Sequence, residues 1–135
     1  MIYIYSDATT TNGHAVCTSF IITDTTYLGV VTQNYDNVFG SIHGELLAIK
    51  QGLDYICNLD LNDEDVVIYT DNREALQHIQ SATKSKHFQR LLASINDFKD
   101  KYNIQFCYIE GHSSEHNPNK TVDILARRVN KLLYK

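Results

Sequence analysis

Four acidic residues stand where a folded chain could bring them together for metal-dependent chemistry: Asp7, Glu45, Asp71 and Asp123. Asp7 follows the apolar run at residues 1–5, and Asp71 follows a second apolar run that includes residues 66–69. Ligand sites in open α/β sheets lie beyond the carboxyl ends of the strands. If the two runs are neighbouring parallel strands, both aspartates emerge at the same edge of the sheet.

Glu45 and Asp123 can reach that edge from two helices. The pattern places Glu45 in the first turn of one predicted helix and Asp123 in the first turn of the last. Each carboxylate also has an ordinary explanation. An aspartate after a strand often caps a helix, a helical glutamate is usually solvated, and the helix dipole favours acids near an N-terminus. Taken one residue at a time, the sequence leaves both explanations open.

A convergence of these carboxylates would require cations or bound protons. Two carboxylates about 4 Å apart repel by roughly 4 kcal/mol at an effective dielectric constant of 20. Because oxygen ligands select hard ions, the expected metal is Mg²⁺ or Mn²⁺ rather than Zn²⁺.

Hydrophobic periodicity predicts strands and helices in the order βββαβααβα. The strands are predicted at residues 1–5, 14–23, 27–32, 66–69 and 104–109. The helices are predicted from Ser41 to about Cys57, after Asn72, from Phe88 to about Tyr102, and from Asn119 onwards. Residues 8–13 are predicted to form a polar turn, and Gly44 and Gly52 indicate a close approach of the first helix to the sheet.

The order of the elements predicts how the strands pair. Short turns between the first three strands predict an antiparallel meander, and each strand–helix–strand unit requires a right-handed crossover between parallel strands. The predicted fold class is therefore α/β, with a mixed five-stranded sheet flanked by helices, in which the first, fourth and fifth strands are parallel. We expect the 135 residues, 1–135, to form a single domain.

The formal net charge of −4 is unevenly distributed along the chain. Residues 1–72 contain one base and ten acids, whereas residues 73–135 contain eleven bases and six acids. An acidic front half suits metal binding and a basic back half suits contact with phosphates. A mixed, solvated surface explains the same pattern equally well.

Three widely spaced cysteines (Cys17, Cys57 and Cys107) argue against a disulfide framework and against a zinc site. No stretch approaches the roughly 18 apolar residues of a membrane span, and no targeting segment is visible. We therefore expect a cytoplasmic protein with reduced thiols and no membrane contact.

Four segments, taken together, resemble the ordered motifs of type 1 ribonuclease H. They are Tyr-Ser-Asp7-Ala-Thr, His-Gly-Glu45-Leu-Leu-Ala-Ile, Ile-Tyr-Thr-Asp71-Asn, and Gly-His112 followed by Asn119-Lys-Thr-Val-Asp123-Ile-Leu-Ala. The predicted order of elements resembles that family's fold as well, so the resemblance covers nearly the whole chain. It implies a ribonuclease H-like fold and a metal-dependent endonuclease that hydrolyses the RNA strand of RNA/DNA hybrids.

The resemblance also implies a role for each matching residue. Asp7 would bridge two divalent ions, and Asp123 would complete the coordination shell of one of them. Glu45 and Asp71 would complete the shell of the other. The two ions, Mg²⁺ or Mn²⁺, would activate a water and stabilise the leaving 3′-oxygen. His112 resembles the family's histidine that assists proton transfer or product release.

The chain departs from the family's pattern where substrate is bound. Ser41 lies in a stretch that replaces a Thr-Asn-Asn-type segment, Arg73 stands where the family often carries glutamine, and residues 8–12 replace a glycine-rich turn. That glutamine reads the 2′-hydroxyl, which distinguishes RNA from DNA, so these departures leave hybrid specificity open. The candidate substrate contacts are Asn12, Ser41, Asn72, Arg73 and Asn119.

Two other functions remain open. A resolvase-like or transposase-like nuclease acting on DNA would use the same carboxylates, whereas a non-catalytic nucleic-acid-binding module would gain nothing from them. The segment between the two middle helices offers few cationic or titratable groups, namely Lys84, Lys86, His87 and Arg90. We therefore expect a monomer whose binding to nucleic acid is weak and strongly salt-sensitive.

Overall fold

The strand that contains Asp7 is the centre of a five-stranded mixed sheet in the computed structural model, which describes residues 1–61, 64–80 and 88–109. The strands are β1 (Ile2–Thr11), β2 (His14–Thr23), β3 (Tyr27–Tyr35), β4 (Asp65–Thr70) and β5 (Asn103–Tyr108). The helices are α1 (Ser41–Asn58), α2 (Arg73–Gln80) and α3 (Gln89–Asp97), and a 3₁₀ turn at Phe98–Asp100 follows α3.

The sheet has the strand order β3-β2-β1-β4-β5. Strands β1, β2 and β3 pair antiparallel, whereas β4 pairs parallel with both β1 and β5. The predicted meander, the predicted parallel section and the α/β fold class are therefore confirmed.

The prediction that β1 ends before a polar turn at residues 8–13 was wrong. β1 continues to Thr11, so Asp7 lies within the strand and pairs with Thr18 of β2. The turn consists of Asn12 and Gly13 alone, with φ of 49° and 79°, the left-handed conformation of a two-residue hairpin. This tight turn brings the small, polar residues before it into register with β2, which is why they extend the strand.

Helix α1 packs closely on the sheet through its glycines, as predicted. A Cβ atom on Gly52 would lie 2.8 Å from Cγ2 of Ile4, and one on Gly44 would lie 2.7 Å from Cγ2 of Thr10. This contact buries an apolar core between the sheet and the helices. Its largest fully buried side chains include Ile2, Ile4, Ile21, Leu46, Ile49, Leu53, Ile56, Ile68 and Ile95.

The second half of the chain follows the prediction up to the last described strand. α3 ends at Asp97 and passes into the 3₁₀ turn, so the predicted helix to about Tyr102 is shorter by about one turn. The predicted last helix, from Asn119, lies outside the described residues. None of the described helices is long and apolar enough to cross a membrane.

Candidate active site

Three of the four predicted carboxylates meet at one edge of the sheet. One carboxylate oxygen from each of Asp7, Glu45 and Asp71 lies within 4.8 Å of the others. Asp7 and Glu45 expose only 3% and 4% of their surface, and Asp71 is half-buried. The cluster is therefore a buried anionic site that opens to solvent on the side of Asp71.

The pairing of β1 with β4 places the two aspartates side by side. The parallel register ends with Tyr5 opposite Tyr69, and these rings stack with centroids 4.7 Å apart. Asp7 and Asp71 each follow two residues after that pair, so they occupy equivalent positions, as the sequence predicted. Asp7 is held further by antiparallel pairing with β2, whereas Asp71 has already left β4.

Glu45 approaches the aspartates from the second turn of α1. The prediction of the first turn was wrong by one residue, because α1 begins at Ser41 and its first turn contains no acid. The backbone N–H of Ala8 donates to Oε1 of Glu45 at 3.3 Å, which anchors the helix to β1 beside Asp7. Gly44 allows this approach because it has no Cβ atom.

Burial raises the pKa of Glu45 from 4.5 to about 8, and the negative charge of Asp71 adds to the rise. A hydrogen bond that Glu45 shares with the side chain of Asp7, and those with the side chain of Thr70 and the backbone N–H of Ala8, lower this pKa and act in the opposite direction. Within the described part of the chain, Oε2 of Glu45 is buried without a hydrogen-bond partner. A buried carboxylate oxygen in this state requires either a proton or a cation.

Asp71 does not cap α2, so the ordinary explanation for this residue was wrong. The cap is Asn72, whose Oδ1 accepts a hydrogen bond from the backbone N–H of Ala75 at 2.9 Å. The side chain of Thr70 also accepts from the N–H of Asn72, at 3.2 Å. These bonds fix the turn in which Asp71 lies and leave its carboxylate to the cluster.

The donor set fits a hard divalent cation. All three converging side chains offer carboxylate oxygens, the ligands that Mg²⁺ and Mn²⁺ prefer. The nearby Cys17 thiol donates to the carbonyl oxygen of Gly44, and burial raises its pKa, so it stays protonated and is no soft ligand. A cation would remove the mutual repulsion of the carboxylates and satisfy the buried oxygen of Glu45.

The comparisons with known proteins agree with this arrangement. Residues 6–129 match the reverse transcriptase-like family, a span that includes all four predicted carboxylates. The chain belongs to the reverse transcriptase-like family. No curated protein sequence matches it.

This member of the reverse transcriptase-like family has the fold of type 1 ribonuclease H. LC11 ribonuclease H1 in complex with an RNA/DNA hybrid is 17% identical, with a TM-score of 0.81 over 98% of this chain and 99% of that one. The N-terminal ribonuclease H domain of Rv2228c from Mycobacterium tuberculosis is 15% identical, with a TM-score of 0.80 over 97% and 94%. Ribonuclease H1 from Halobacterium salinarum NRC-1 is 11% identical, with a TM-score of 0.79 over 96% and 97%.

The predicted substrate contacts within the described residues lie at different distances from the cluster. Asn72 and Arg73 follow Asp71 directly, and Ser41 opens α1 one turn before Glu45. Asn12 lies in the hairpin turn, five residues beyond Asp7 and roughly 16 Å away at the rise of a strand. Asn12 is therefore not part of the carboxylate cluster. His112, Asn119 and Asp123 lie outside the described residues.

Sequence reasoning missed three contributors to the site. The backbone of Ala8 and the side chain of Thr70 both bond to Glu45, and Tyr108 contacts Arg73. The Ala8 contact depends on how closely α1 approaches, which the sequence indicated only through Gly44. The Tyr108 contact depends on the register of β5 against β4, for which no signal was available.

Proposed function

We propose that this protein is a metal-dependent endonuclease that hydrolyses the RNA strand of RNA/DNA hybrids. One observation carries the proposal: Asp7, Glu45 and Asp71 converge within 4.8 Å from three separate elements of a ribonuclease H fold. The LC11 enzyme, which shares this fold, was solved with an RNA/DNA hybrid, and that likeness favours the same substrate here.

The residues present would hold two ions of Mg²⁺ or Mn²⁺. In this proposal Asp7 would be a ligand of both ions, Glu45 and Asp71 would hold one of them, and Asp123 would hold the other. Bound ions would supply an activated water and charge stabilisation at the leaving 3′-oxygen of the cleaved phosphodiester. The proposal gives His112 a proton-transfer or product-release role.

The chain's own contribution is rigid placement of the ligands. The hydrogen bond from the N–H of Ala8 to Glu45 and the pairing of Asp7 with Thr18 hold two carboxylates in place before substrate arrives. Burial of Asp7 and Glu45 excludes water from one side of the site and leaves Asp71 to face the incoming strand. Such preorganised charge acts more strongly than the same groups in water.

The experiment is a cleavage assay on three substrates of one sequence: RNA/DNA hybrid, duplex DNA and duplex RNA. With Mg²⁺ or Mn²⁺, we expect cutting of the RNA strand of the hybrid and loss of cutting in Asp7→Asn. Asp97→Asn, which changes an exposed aspartate at the end of α3, is the matched control and should cut normally. Cleavage undiminished in Asp7→Asn would refute the proposal.

A second candidate is a DNA-cutting nuclease on the same fold. It is favoured by Arg73, which stands beside Asp71 where a residue that reads the 2′-hydroxyl would be expected. Preferential cleavage of duplex DNA in the same assay would identify it. A non-catalytic binding module would cut none of the three substrates and need not take up Mn²⁺ in a calorimetric titration.

We further propose that residues 1–135 act as one domain, as a monomer and in the cytoplasm. The family match over residues 6–129 supports the single domain. The three cysteines form no disulfide, which is consistent with a reducing compartment. Light scattering on the purified protein tests the oligomeric state.

A further inference from the structure

Arg73 and Tyr108 form a cation–π pair beside the carboxylate cluster. The Cζ atom of Arg73 lies 4.4 Å from the centroid of the Tyr108 ring. Cation–π attraction operates within about 6 Å of the ring centroid, so the guanidinium is held over the ring. Neither residue belongs to the carboxylate cluster itself.

Two backbone features fix the pair at the edge of the sheet where the carboxylates lie. Tyr108 is the last residue of β5 and stands opposite Thr70, the last residue of β4. The N–H of Ile109 donates to the carbonyl oxygen of Thr70 at 2.9 Å, which fastens the end of β5 there. Arg73 opens α2 two residues after Asp71, so Arg73 and one of the three carboxylate residues share one short turn.

The guanidinium remains available to bind an anion. Arg73 is exposed, and 38% of Tyr108 is exposed. Within residues 1–61, 64–80 and 88–109, no carboxylate forms an ion pair with Arg73. Contact with a ring face uses none of its five N–H donors, and their planar fork matches a phosphate.

We propose that Arg73, positioned by Tyr108, binds a non-bridging phosphate oxygen of the strand that enters the carboxylate site. This inference rests on the proposed function and specifies how that site holds its substrate. Arg73 is the substrate-binding residue, and Tyr108 is a positioning residue that restricts where the guanidinium can point.

The charge distribution explains why a cation is needed at this place. Residues 1–72 contain ten acids and one base, and three of those acids form the site. Bound ions would offset the charge of the site itself, so the remaining acids of residues 1–72 repel an approaching phosphodiester, and a fixed cation two residues from Asp71 offsets that repulsion. Because phosphate is common to RNA and DNA, this contact provides affinity and register but does not distinguish the sugars.

The test measures binding and steady-state cleavage of a labelled hybrid, and binding of the DNA duplex of the same sequence, over a range of salt concentrations. Arg73→Met should weaken binding of both duplexes by the same factor, roughly tenfold at low salt, because an ionic phosphate contact is lost and methionine offers no hydrogen bond to the 2′-hydroxyl. In this variant the negative slope of log affinity against log salt should be shallower than in the wild type by about 0.9, the value for one phosphate contact.

Tyr108 is tested by a pair of substitutions. Tyr108→Leu should raise KM about two- to fivefold with kcat unchanged, the fold-change expected for loss of an exposed cation–π contact. Tyr108→Phe keeps the ring face and should restore the wild-type KM. If Tyr108 had only a structural role, Tyr108→Leu would change thermal stability and kcat. KM alone would then not distinguish Tyr108→Phe from Tyr108→Leu.

Three results would overturn the inference. They are an unchanged salt slope in Arg73→Met, a loss of binding confined to the hybrid, and a Tyr108→Leu variant that folds and keeps the wild-type KM. If Tyr108→Leu does not fold, the salt slope of Arg73→Met decides. Binding with the predicted salt slopes but without cleavage would refute the proposed function and leave the Arg73 contact standing. Normal cleavage with unchanged salt slopes would refute the Arg73 contact and leave the proposed function standing.

Discussion

Oδ1 of Asn72 accepts a hydrogen bond from the backbone N–H of Ala75 at 2.9 Å and caps helix α2 one residue after Asp71. The cap and the candidate metal ligand are therefore adjacent but separate residues. Because the amide performs the structural task, Asp71 can lie in the carboxylate cluster. Stability and activity should consequently respond to different substitutions within this turn.

Replacing Asn72 should cost stability through the cap. Asn72→Ala should lower the free energy of unfolding by about 1 kcal/mol, because the N–H of Ala75 loses its acceptor. Asn72→Asp keeps an acceptor at the same place and should retain most of that stability. Thermal or urea unfolding of the two variants measures the difference. Equal losses in both would show that the cap contributes little.

The glycines of α1 should separate packing from activity. Gly44→Ala places a Cβ atom 2.7 Å from Cγ2 of Thr10 and 3.3 Å from Cβ of Ala8, so α1 must move away from β1. Overpacking of this kind costs about 1–3 kcal/mol, more than the roughly 1 kcal/mol gained in helix propensity. Because Ala8 also bonds to Glu45, kcat should fall as well.

Gly52→Ala is the matched control for this effect. Its Cβ atom would lie 2.8 Å from Cγ2 of Ile4, two turns further along the same helix. We expect a similar loss of stability with kcat retained at temperatures where the variant is folded. Equal losses of kcat in the two variants would mean that the Ala8 contact does not position Glu45.

The elements of the fold were predictable where local pattern decides them. The apolar spacing in α1 predicted a helix from Ser41 to about Cys57, and the helix ends at Asn58. The end of β1 was not predictable in this way. Its last residues are small and polar, and they are in the strand because the turn at Asn12 and Gly13 pairs them with β2.

The site was predictable only in part for a related reason. Equivalent positions relative to two predicted parallel strands placed Asp7 and Asp71 together without any knowledge of packing, although Asp7 lies within β1 rather than after it. The nearly complete burial of Glu45 and its bond to Ala8 depend on the distance between α1 and β1, which is a tertiary property. The Arg73–Tyr108 contact depends on strand register between β4 and β5, which the sequence does not specify.

Divalent ions should stabilise the folded protein through the carboxylate cluster. A ligand that binds only the folded state stabilises it by about 2.7 kcal/mol at a hundredfold excess over its Kd. We expect Mn²⁺ or Mg²⁺ to raise the Tm of the wild-type protein and chelation to reverse the change. Asp7→Asn should abolish this response, whereas Asp97→Asn should keep it. An equal rise in both variants would place the ions elsewhere.

The metal-free protein should lose stability as the pH rises, because Glu45 is buried. Its pKa is raised from 4.5 to about 8 in the folded state, so folding favours the protonated form. The contribution is fully present below the unfolded-state pKa and is lost as the pH rises through the folded-state pKa. The loss should therefore develop between about pH 4.5 and about pH 8.

Glu45→Gln keeps a neutral, hydrogen-bonding side chain at every pH and should remove this dependence. Urea unfolding in chelator should give this variant the same free energy of unfolding as the wild type near pH 5. At pH 9 its free energy of unfolding should exceed that of the wild type by about 1–3 kcal/mol, the usual cost of a buried, unsatisfied polar group. Adding Mn²⁺ at pH 9 should restore the stability of the wild-type protein only.

Glu74→Gln, at an exposed position in the first turn of α2, controls for loss of a carboxylate and should show the wild-type pH dependence. A wild-type stability that stays constant from pH 5 to pH 9 in chelator would contradict the burial of an uncompensated charge at Glu45.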